Sequence, residues 1–376
     1  MATRRLTSAL FATLLMASSL ATGACRARQA ASGSGLASPS LAATIAGLSE
    51  PGGDFETDTL ISDETAYLQV ADLLGQPPLR GGAYIGVGPE QNYTYIARLR
   101  PRWAFILDIR RQNTLQHLML NAIFGAAENP FRFLCMLFAR PCPAGAVAAD
   151  AGLTATLAAL DEVAPSEAEF ERNLSRILDH IDNRLHFPLS AADRAEIRAM
   201  YRTLFEEQLE IGFRGRGPLA PERPTLRALL SSRSPSGDTG SFLASPADYR
   251  FVRELARSGR IVPVVGDFAG PAALRRIAAW LRQRGETVSA FYVSNVEFYL
   301  FRDAAFARFV ANVRELPLTP ESVFIRACFD YGRPHPAQRA GERSATVLQR
   351  IPRFLQLHDA GAYKTYWDVC AKDYFR

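Results

Sequence analysis

The chain has 376 residues, of which 48% are hydrophobic and 22% charged; this composition excludes a disordered protein and predicts a globular one with one large or two ordinary domains. The net charge of +5 comes mainly from arginines spread along the chain, without aromatic–basic interleaving or a recognised nucleic-acid motif. No nucleic-acid partner is therefore expected.

Residues 1–25 have the layout of a secretory signal. Arg4 and Arg5 form a positive start, residues 6–20 are an apolar run too short to span a bilayer, and Cys25 follows two small residues. We expect Cys25 to be the lipid-modified first residue of an exported, membrane-anchored lipoprotein of the bacterial cell envelope. A simple cleaved signal and an uncleaved anchor are the alternatives.

Residues 26–50 are rich in Ala, Ser and Gly and lack aromatic side chains, which predicts a flexible tether. The body of the protein is then a domain over residues 51–345. The aromatic residues of the segment 346–376 predict that it packs back on this domain.

The most informative stretch alternates strands and helices. Residues 82–88 form a short apolar run ending in glycines, residues 90–99 fit a helix, residues 103–109 form a second apolar run, and a helical pattern follows from Leu115. Continuous apolar strands in a βαβα unit predict a parallel sheet covered on both faces.

Residues 130–245 interrupt this alternation with amphipathic helices, among them one beginning with the capping-box spacing of Ser166 and Glu169. We interpret them as a helical insertion that could lie over the open end of the sheet. The alternation then resumes with strands at 261–265, 288–293 and 322–329 and helices at 271–284 and 304–316. The predicted fold is a doubly wound α/β domain with a mostly parallel sheet.

The remaining cysteines and histidines do not have the spacing of a metal site, so no metal is expected. In an oxidising compartment Cys135 and Cys142 could pair across a short loop. Four free buried thiols are an equally good interpretation.

Ligands bind beyond the carboxyl ends of the strands in such a sheet. Residues 86–92, which follow the first strand, contain a Gly-x-Gly turn, and Asp108 closes the second strand about 20 residues later, where an acid can accept hydrogen bonds from a ribose. The alternatives are a structural turn and a helix cap, respectively.

Two later segments end strands in the same way. Asp267 follows the strand at 261–265 and could bind an adenine amino group or cap the next helix, and the polar residues in 294–299 could line a pocket or pack.

Together these segments resemble the class I S-adenosylmethionine (SAM) dependent methyltransferases, whose fold is Rossmann-like. The stretches at 55–64, 86–93 and 108–113 are similar to those of an uncharacterised bacterial family of methyltransferase-like proteins.

The resemblance implies a SAM site and a methyl acceptor. The residues implied to bind the cofactor are Gly86, Gly88, Glu90, Asn92, Asp108 and Asp267. Asn295 and Glu297 are implied to face the methyl group or its acceptor and are the catalytic candidates.

Two hypotheses therefore stay open. One is a domain that binds SAM or a related nucleoside and transfers a methyl group to an unknown acceptor. Because SAM is made in the cytoplasm, the other is a noncatalytic envelope lipoprotein that uses the same fold to bind a small molecule or a protein. A different transferase with a nucleotide-linked donor is a third interpretation.

Overall fold

The computed structural model describes residues 39–55, 59–148, 150–213, 223–237 and 240–376. Pro39–Arg376 form one compact unit. The predicted signal sequence with Cys25 and the first part of the predicted tether lie outside the described residues. Within the described ranges, no helix combines the length and the apolar character that crossing a membrane requires.

The core is a mixed sheet of six strands, five parallel and one antiparallel at an edge. In chain order the strands are β1 (Ala83–Gly86), β2 (Trp103–Asp108), β3 (Ile261–Val265), β4 (Val288–Ser294), β5 (Leu318–Phe329) and β6 (Ser344–Arg350). Across the sheet they lie in the order β3-β2-β1-β4-β5-β6, and β6 is the antiparallel strand. The prediction of an α/β fold with a mostly parallel sheet is confirmed.

The helices surround this sheet. They are α1 (Leu41–Leu48), α2 (Ala71–Leu74), α3 (Gln91–Leu99), α4 (Arg111–Ala126), α5 (Pro130–Leu137), α6 (Leu153–Asp161), α7 (Glu167–Asp179), α8 (Ala191–Glu207), α9 (Leu226–Ser231), α10 (Pro246–Arg257), α11 (Ala273–Gln283), α12 (Val296–Arg302), α13 (Phe306–Arg314), α14 (Ile351–Asp359) and α15 (Tyr366–Ala371). Every residue of β1 and β3 is buried, as continuous apolar strands covered on both faces require.

Helices also occupy the predicted insertion, as α5 to α9. The hydroxyl of Ser166 caps α7 by accepting a hydrogen bond from the Glu169 amide at 3.2 Å, as its sequence predicted. However, α7 and α8 pack on α4, which itself packs on β2 and β3. These two helices therefore form a second layer outside α4. Leu229 and Leu230 of α9 instead line a cavity with Glu90 and Gln91, which follow β1.

The tether prediction for residues 26–50 is wrong at its carboxyl end, where α1 forms. Leu41, Ile45 and Leu48 recur at helical spacing, are buried, and belong to the main core, and α1 packs on β3 and α11. The Ala- and Ser-rich composition concealed this short apolar face.

The carboxyl-terminal segment is part of the sheet, because the predicted boundary between residues 345 and 346 falls inside β6. Cys328 on β5 forms a disulfide with Cys370 on α15, with their Cα atoms 5.9 Å apart. Cys135 and Cys142 are free thiols. Neither cysteine arrangement considered from the sequence is correct, because the bonded pair is 42 residues apart in the chain and meets only in the folded sheet.

Candidate functional site

The sheet has a topological switch point between β1 and β4. From β1 the chain moves outward to β2 and β3, then crosses back to β4 and moves outward in the other direction. In folds of this kind the connections on either side diverge there, and ligands bind at the carboxyl ends of these two strands. Gly86 ends β1 and Ser294 ends β4, so both lie at this switch point.

The glycine turn after β1 is held by Asn92. Its side-chain nitrogen Nδ2 lies 2.9, 3.1 and 2.7 Å from the carbonyl oxygens of Val87, Gly88 and Pro89, respectively. A Cβ atom at Gly86 would collide with the Asn92 side chain, and Gly88 has a φ of +79°. Both glycines are therefore required by the turn itself.

His117 fixes the same turn from the other side. Its Nε2 donates to the Gly88 carbonyl at 2.9 Å and its Nδ1 accepts from the Tyr93 hydroxyl at 2.7 Å. Burial lowers the pKa of His117 to about 4, so the ring is neutral at pH 7. Three predicted ligand positions, Gly86, Gly88 and Asn92, thus serve the turn in this structure.

Asp108 ends β2 where it was predicted, but its carboxylate is bonded to Arg110. Oδ1 accepts from the backbone nitrogen and Nε of Arg110 at 2.9 and 3.0 Å, and Oδ2 accepts from Nη2 at 2.9 Å. Both side chains are less than one tenth exposed. A ribose would have to displace Arg110 to reach this carboxylate.

Asp267 follows β3, and its Oδ1 accepts a hydrogen bond from the Ala269 amide at 2.9 Å, which is the capping alternative. The neighbouring backbone amides bind the buried carboxylate of Glu50. It accepts from the amides of Asp267, Ala272 and Ala273 at 3.0, 2.6 and 2.9 Å. A side chain from the start of the body thus occupies an anion-binding turn at the start of α11.

Glu50 belongs to a stretch that we call the edge segment, residues 49–64, of which 56–58 are outside the described residues. Its amides pair with the carboxyl ends of β3 and β2: the Glu50 amide donates to Val265 and the Gly53 amide to Ile109, both at 2.9 Å. Further along the segment, Thr59 accepts from Arg110 at 3.2 Å. The edge segment therefore covers the part of the sheet edge where a nucleoside was predicted.

The edge segment ends at the switch point in a buried polar group that we call the acid cluster: Glu64, Gln91, Tyr292 and Ser294. Glu64 Oε1 accepts hydrogen bonds from the Ser294 hydroxyl and, at 2.6 Å, from the Tyr292 hydroxyl. Glu64 Oε2 accepts from the side-chain amide of Gln91 at 2.9 Å. Ser294 has a φ of +51°, a backbone strain that is uncommon for a residue with a side chain.

Desolvation raises the pKa of Glu64 to about 7, against the opposing effect of its three hydrogen bonds. Glu90 beside it behaves similarly, because burial raises the pKa of its carboxyl to about 7. Glu64 can therefore accept or release a proton near neutral pH, a property that is common among side chains of functional sites.

Glu90 and Gln91 also have unused hydrogen-bonding capacity. Glu90 Oε1 accepts from the Ser62 amide at 3.4 Å, whereas Glu90 Oε2 and Gln91 Oε1 are buried without a partner among the described residues. Both residues line a small cavity with Tyr67 and Phe242.

The two predicted catalytic residues lie in different environments. Asn295 is half-buried directly after Ser294, and its Nδ2 donates to the Tyr331 hydroxyl at 3.0 Å. Glu297 is fully buried and paired with Arg326, whose Nη2 lies 3.1 Å from Glu297 Oε1. Glu297 is thus paired with Arg326 of β5 inside the core, instead of facing a methyl acceptor.

The structure therefore brings Asn295 next to the acid cluster and leaves one carboxyl oxygen of Glu90 without a partner among the described residues. The other predicted side chains, those of Asn92, Asp108, Asp267 and Glu297, are hydrogen-bonded within the chain. Glu64, Gln91 and Tyr292 were not among the site residues predicted from the sequence. Glu64 and Gln91 lie in the stretches 55–64 and 86–93 that carried the family resemblance, which was the available signal. In the described ranges, His, Cys, Asp and Glu side chains form no group of three or more able to hold a metal ion.

Fold and site together define an α/β protein with a polar site at the switch point of a mostly parallel sheet. The chain belongs to the family "Domain of unknown function (DUF7790)", whose sequence model matches residues 59–149 and 190–369. The acid cluster lies within the matched residues. A comparison with curated proteins gave no match.

Proposed function

We propose that this protein binds a small polar ligand at the switch point, between the acid cluster and Asn295. The observation that carries the proposal is the burial of Glu64 among three hydrogen-bond donors, with Ser294 held in a left-handed conformation to reach it. Burying a carboxyl and straining a backbone both cost free energy, and such costs concentrate at functional sites.

The contacts of the sheet edge favour the ligand-binding hypothesis over methyl transfer from SAM. Arg110 binds the carboxylate of Asp108, and Glu50 binds the amides after β3. The ligand is then best accommodated at β1 and β4, and the edge segment acts as a fixed wall of the site.

SAM or a related nucleoside is the second candidate. It is favoured by the sheet order, by the Gly86 and Gly88 turn, and by the position of Asp108 at the end of the neighbouring strand. In this case Arg110 and the edge segment must move, and Asn295 would face the methyl acceptor.

Export to the bacterial envelope, with a lipid on Cys25 as the membrane anchor, is part of the proposal. The disulfide between Cys328 and Cys370 supports it, because such bonds persist in oxidising compartments. Mass spectrometry of the mature amino terminus from the native host tests the anchor. A diacylated or triacylated Cys25 is expected, and a mature chain beginning elsewhere would contradict it.

A thermal-shift panel tests the binding proposal. The purified protein is heated with SAM, S-adenosylhomocysteine, adenosine, amino acids, polyamines and sugars, since a ligand that binds the folded state raises the unfolding midpoint. We expect at least one compound to stabilise the wild type and to lose this effect in Asn295→Ala. Arg198→Gln on the exposed face of α8 is the matched control and should keep the response.

The two candidate functions predict different effects of Asn295→Ala and Asp108→Asn on the stabilisation by ligand. Stabilisation by SAM that persists in Asn295→Ala but is lost in Asp108→Asn would favour the nucleoside site. A panel without any stabilising compound would count against both candidates.

A further inference from the structure

The small cavity beside the acid cluster, which we call the side cavity, has a polar lining of its own. Its lining residues are Tyr67, Glu90, Gln91, Thr94, Leu229, Leu230 and Phe242. The side cavity has room for about one water-sized group. Gln91 is 4% exposed and belongs to both the side cavity and the acid cluster. The two places therefore adjoin each other through one buried side chain.

The hydrogen bonds of the acid cluster fix the orientation of the Gln91 amide. Gln91 Nε2 lies 2.9 Å from Glu64 Oε2 and 3.1 and 3.2 Å from the hydroxyl oxygens of Tyr95 and Tyr292, respectively. Both hydroxyls donate their hydrogens elsewhere, to the Tyr67 carbonyl and to Glu64, respectively. With Glu64 ionised, these three neighbours can only accept from the amide, so the atom that faces them is the nitrogen. Gln91 Oε1 is left without a partner among the described residues.

Glu90 brings a second unpaired acceptor to the side cavity. Its Oε2 is buried and has no partner among the described residues. The other two polar side chains of the lining are already bonded. The Thr94 hydroxyl accepts from the Phe242 amide at 3.2 Å, and the Tyr67 hydroxyl donates to the Leu229 carbonyl at 2.8 Å. The unpaired atoms are thus a carboxylate oxygen and an amide oxygen, which can only accept hydrogen bonds when Glu90 is ionised.

These acceptors restrict what the side cavity can hold. Buried polar atoms are almost always paired, and a buried carboxylate is unfavourable unless a positive charge accompanies it. None of the described lining residues carries a positive charge. A water molecule could donate to both oxygens, but it would leave the charge of Glu90 uncompensated.

A positive group with N–H donors fits this lining better than a metal ion does. Calcium and magnesium ions take about six or more oxygen ligands, which exceeds the two unpaired oxygens of the lining. An ammonium group is close to water in size and needs only acceptors. The aromatic rings of Tyr67 and Phe242 also attract a cation.

We infer that the side cavity binds an ammonium group, which donates hydrogen bonds to Glu90 Oε2 and Gln91 Oε1. The group is the free ammonium ion or the terminal amine of a larger molecule, since both have the same charge and the same kind of donor. This site goes beyond the proposed function, whose ligand lies between the acid cluster and Asn295.

Calorimetric titration of the purified protein tests the inference. Ammonium, methylamine and butylamine are titrated as their chlorides at about pH 8, above the pKa of about 7 of Glu90 and below that of an alkylamine. Sodium and tetramethylammonium chlorides at equal ionic strength are the cations without N–H donors. We expect ammonium or a primary amine to bind, and both control cations to bind roughly tenfold more weakly or worse, because they cannot donate hydrogen bonds.

A matched pair of variants locates the binding. Glu90→Gln keeps the size of the side chain but removes its charge, and should weaken the affinity roughly tenfold or more. Glu171→Gln makes the same change on the exposed face of α7 and should leave the affinity unchanged. The unfolding midpoint without ligand shows whether each variant is folded, and the comparison of cations on the wild type requires no variant.

Binding of ammonium would identify the free ion, and binding of the amines alone would identify a larger amine; both results support the inference. It would be overturned by the absence of binding, by equal binding of the control cations, which would indicate an ordered water only, or by binding that persists in Glu90→Gln. A panel compound that depends on Asn295 would still support the proposed function in each of these cases. Conversely, ammonium binding without such a compound would establish the side cavity and count against the proposed function.

Discussion

Replacing Glu297 with alanine should destabilise the protein strongly without involving the ligand site. In the native chain Glu297 and Arg326 form an ion pair in which the side chains are 0% and 1% exposed. Arg326 also donates to Gln349 at 2.6 Å and lies 4.6 Å from the Phe324 ring centre and 5.2 Å from that of Phe354. Glu297→Ala leaves this guanidinium buried without its counterion.

Breaking a buried pair from one side costs about 3–5 kcal/mol, because the remaining charge stays desolvated. Replacing both residues with methionine removes the charge and fills the space, so Glu297→Met with Arg326→Met should cost less than about 1 kcal/mol, or even stabilise. Glu171→Ala removes a partner of the exposed Arg198 pair and should leave the urea midpoint almost unchanged.

Urea unfolding followed by circular dichroism measures these differences, and ligand binding is measured on the same samples. We expect a low urea midpoint for the single variant, recovery in the double variant, and ligand binding by the double variant. A stable Glu297→Ala protein that has lost binding would refute this reasoning and make Glu297 a site residue.

Three further predictions concern the rest of the fold. Ile45→Ala should lower the free energy of unfolding by about 2–4 kcal/mol in urea, because α1 is core; a change below about 0.5 kcal/mol would support a tether. Because burial raises the pKa of Glu64 from 4.5 to about 7, the folded state holds a proton on this carboxyl that the unfolded state lacks between these values. The contribution of Glu64 to stability should therefore fall by on the order of 3 kcal/mol as pH rises from 4.5 to 7. Glu64→Gln should flatten this decline in urea titrations at several pH values, and an unchanged slope would contradict the assignment. Replacing Cys328 and Cys370 with serine opens a 42-residue loop and should cost about 4 kcal/mol in urea, whereas Cys142→Ser should cost less than about 1 kcal/mol. Equal losses would mean that the disulfide does not form.

The sheet could be predicted because its information is local. Residues 82–88 and 103–109 are continuous apolar runs, and each is followed by a helical pattern. This alternation is typical of buried parallel strands joined by helices. Helix α1 was missed because three apolar residues in an Ala- and Ser-rich stretch are a weak signal until they meet β3 and α11.

The candidate site was harder to predict because its residues acquire their roles through tertiary contacts. Asp108 has the sequence position of a ribose ligand, yet the side chain two residues later binds it. Glu64 precedes the first strand and meets Tyr292, more than two hundred residues away, only at the switch point. Local patterns carry no information about which of these carboxyls is free to meet a ligand.

Hydrogen–deuterium exchange with the tightest-binding compound of the panel tests the central claim most directly. Binding at the switch point should slow exchange in residues 62–65 and 294–299 and leave residues 108–111 and 266–273 unchanged. Protection confined to the second pair of segments would contradict the account and locate the ligand at the nucleoside positions along β2 and β3.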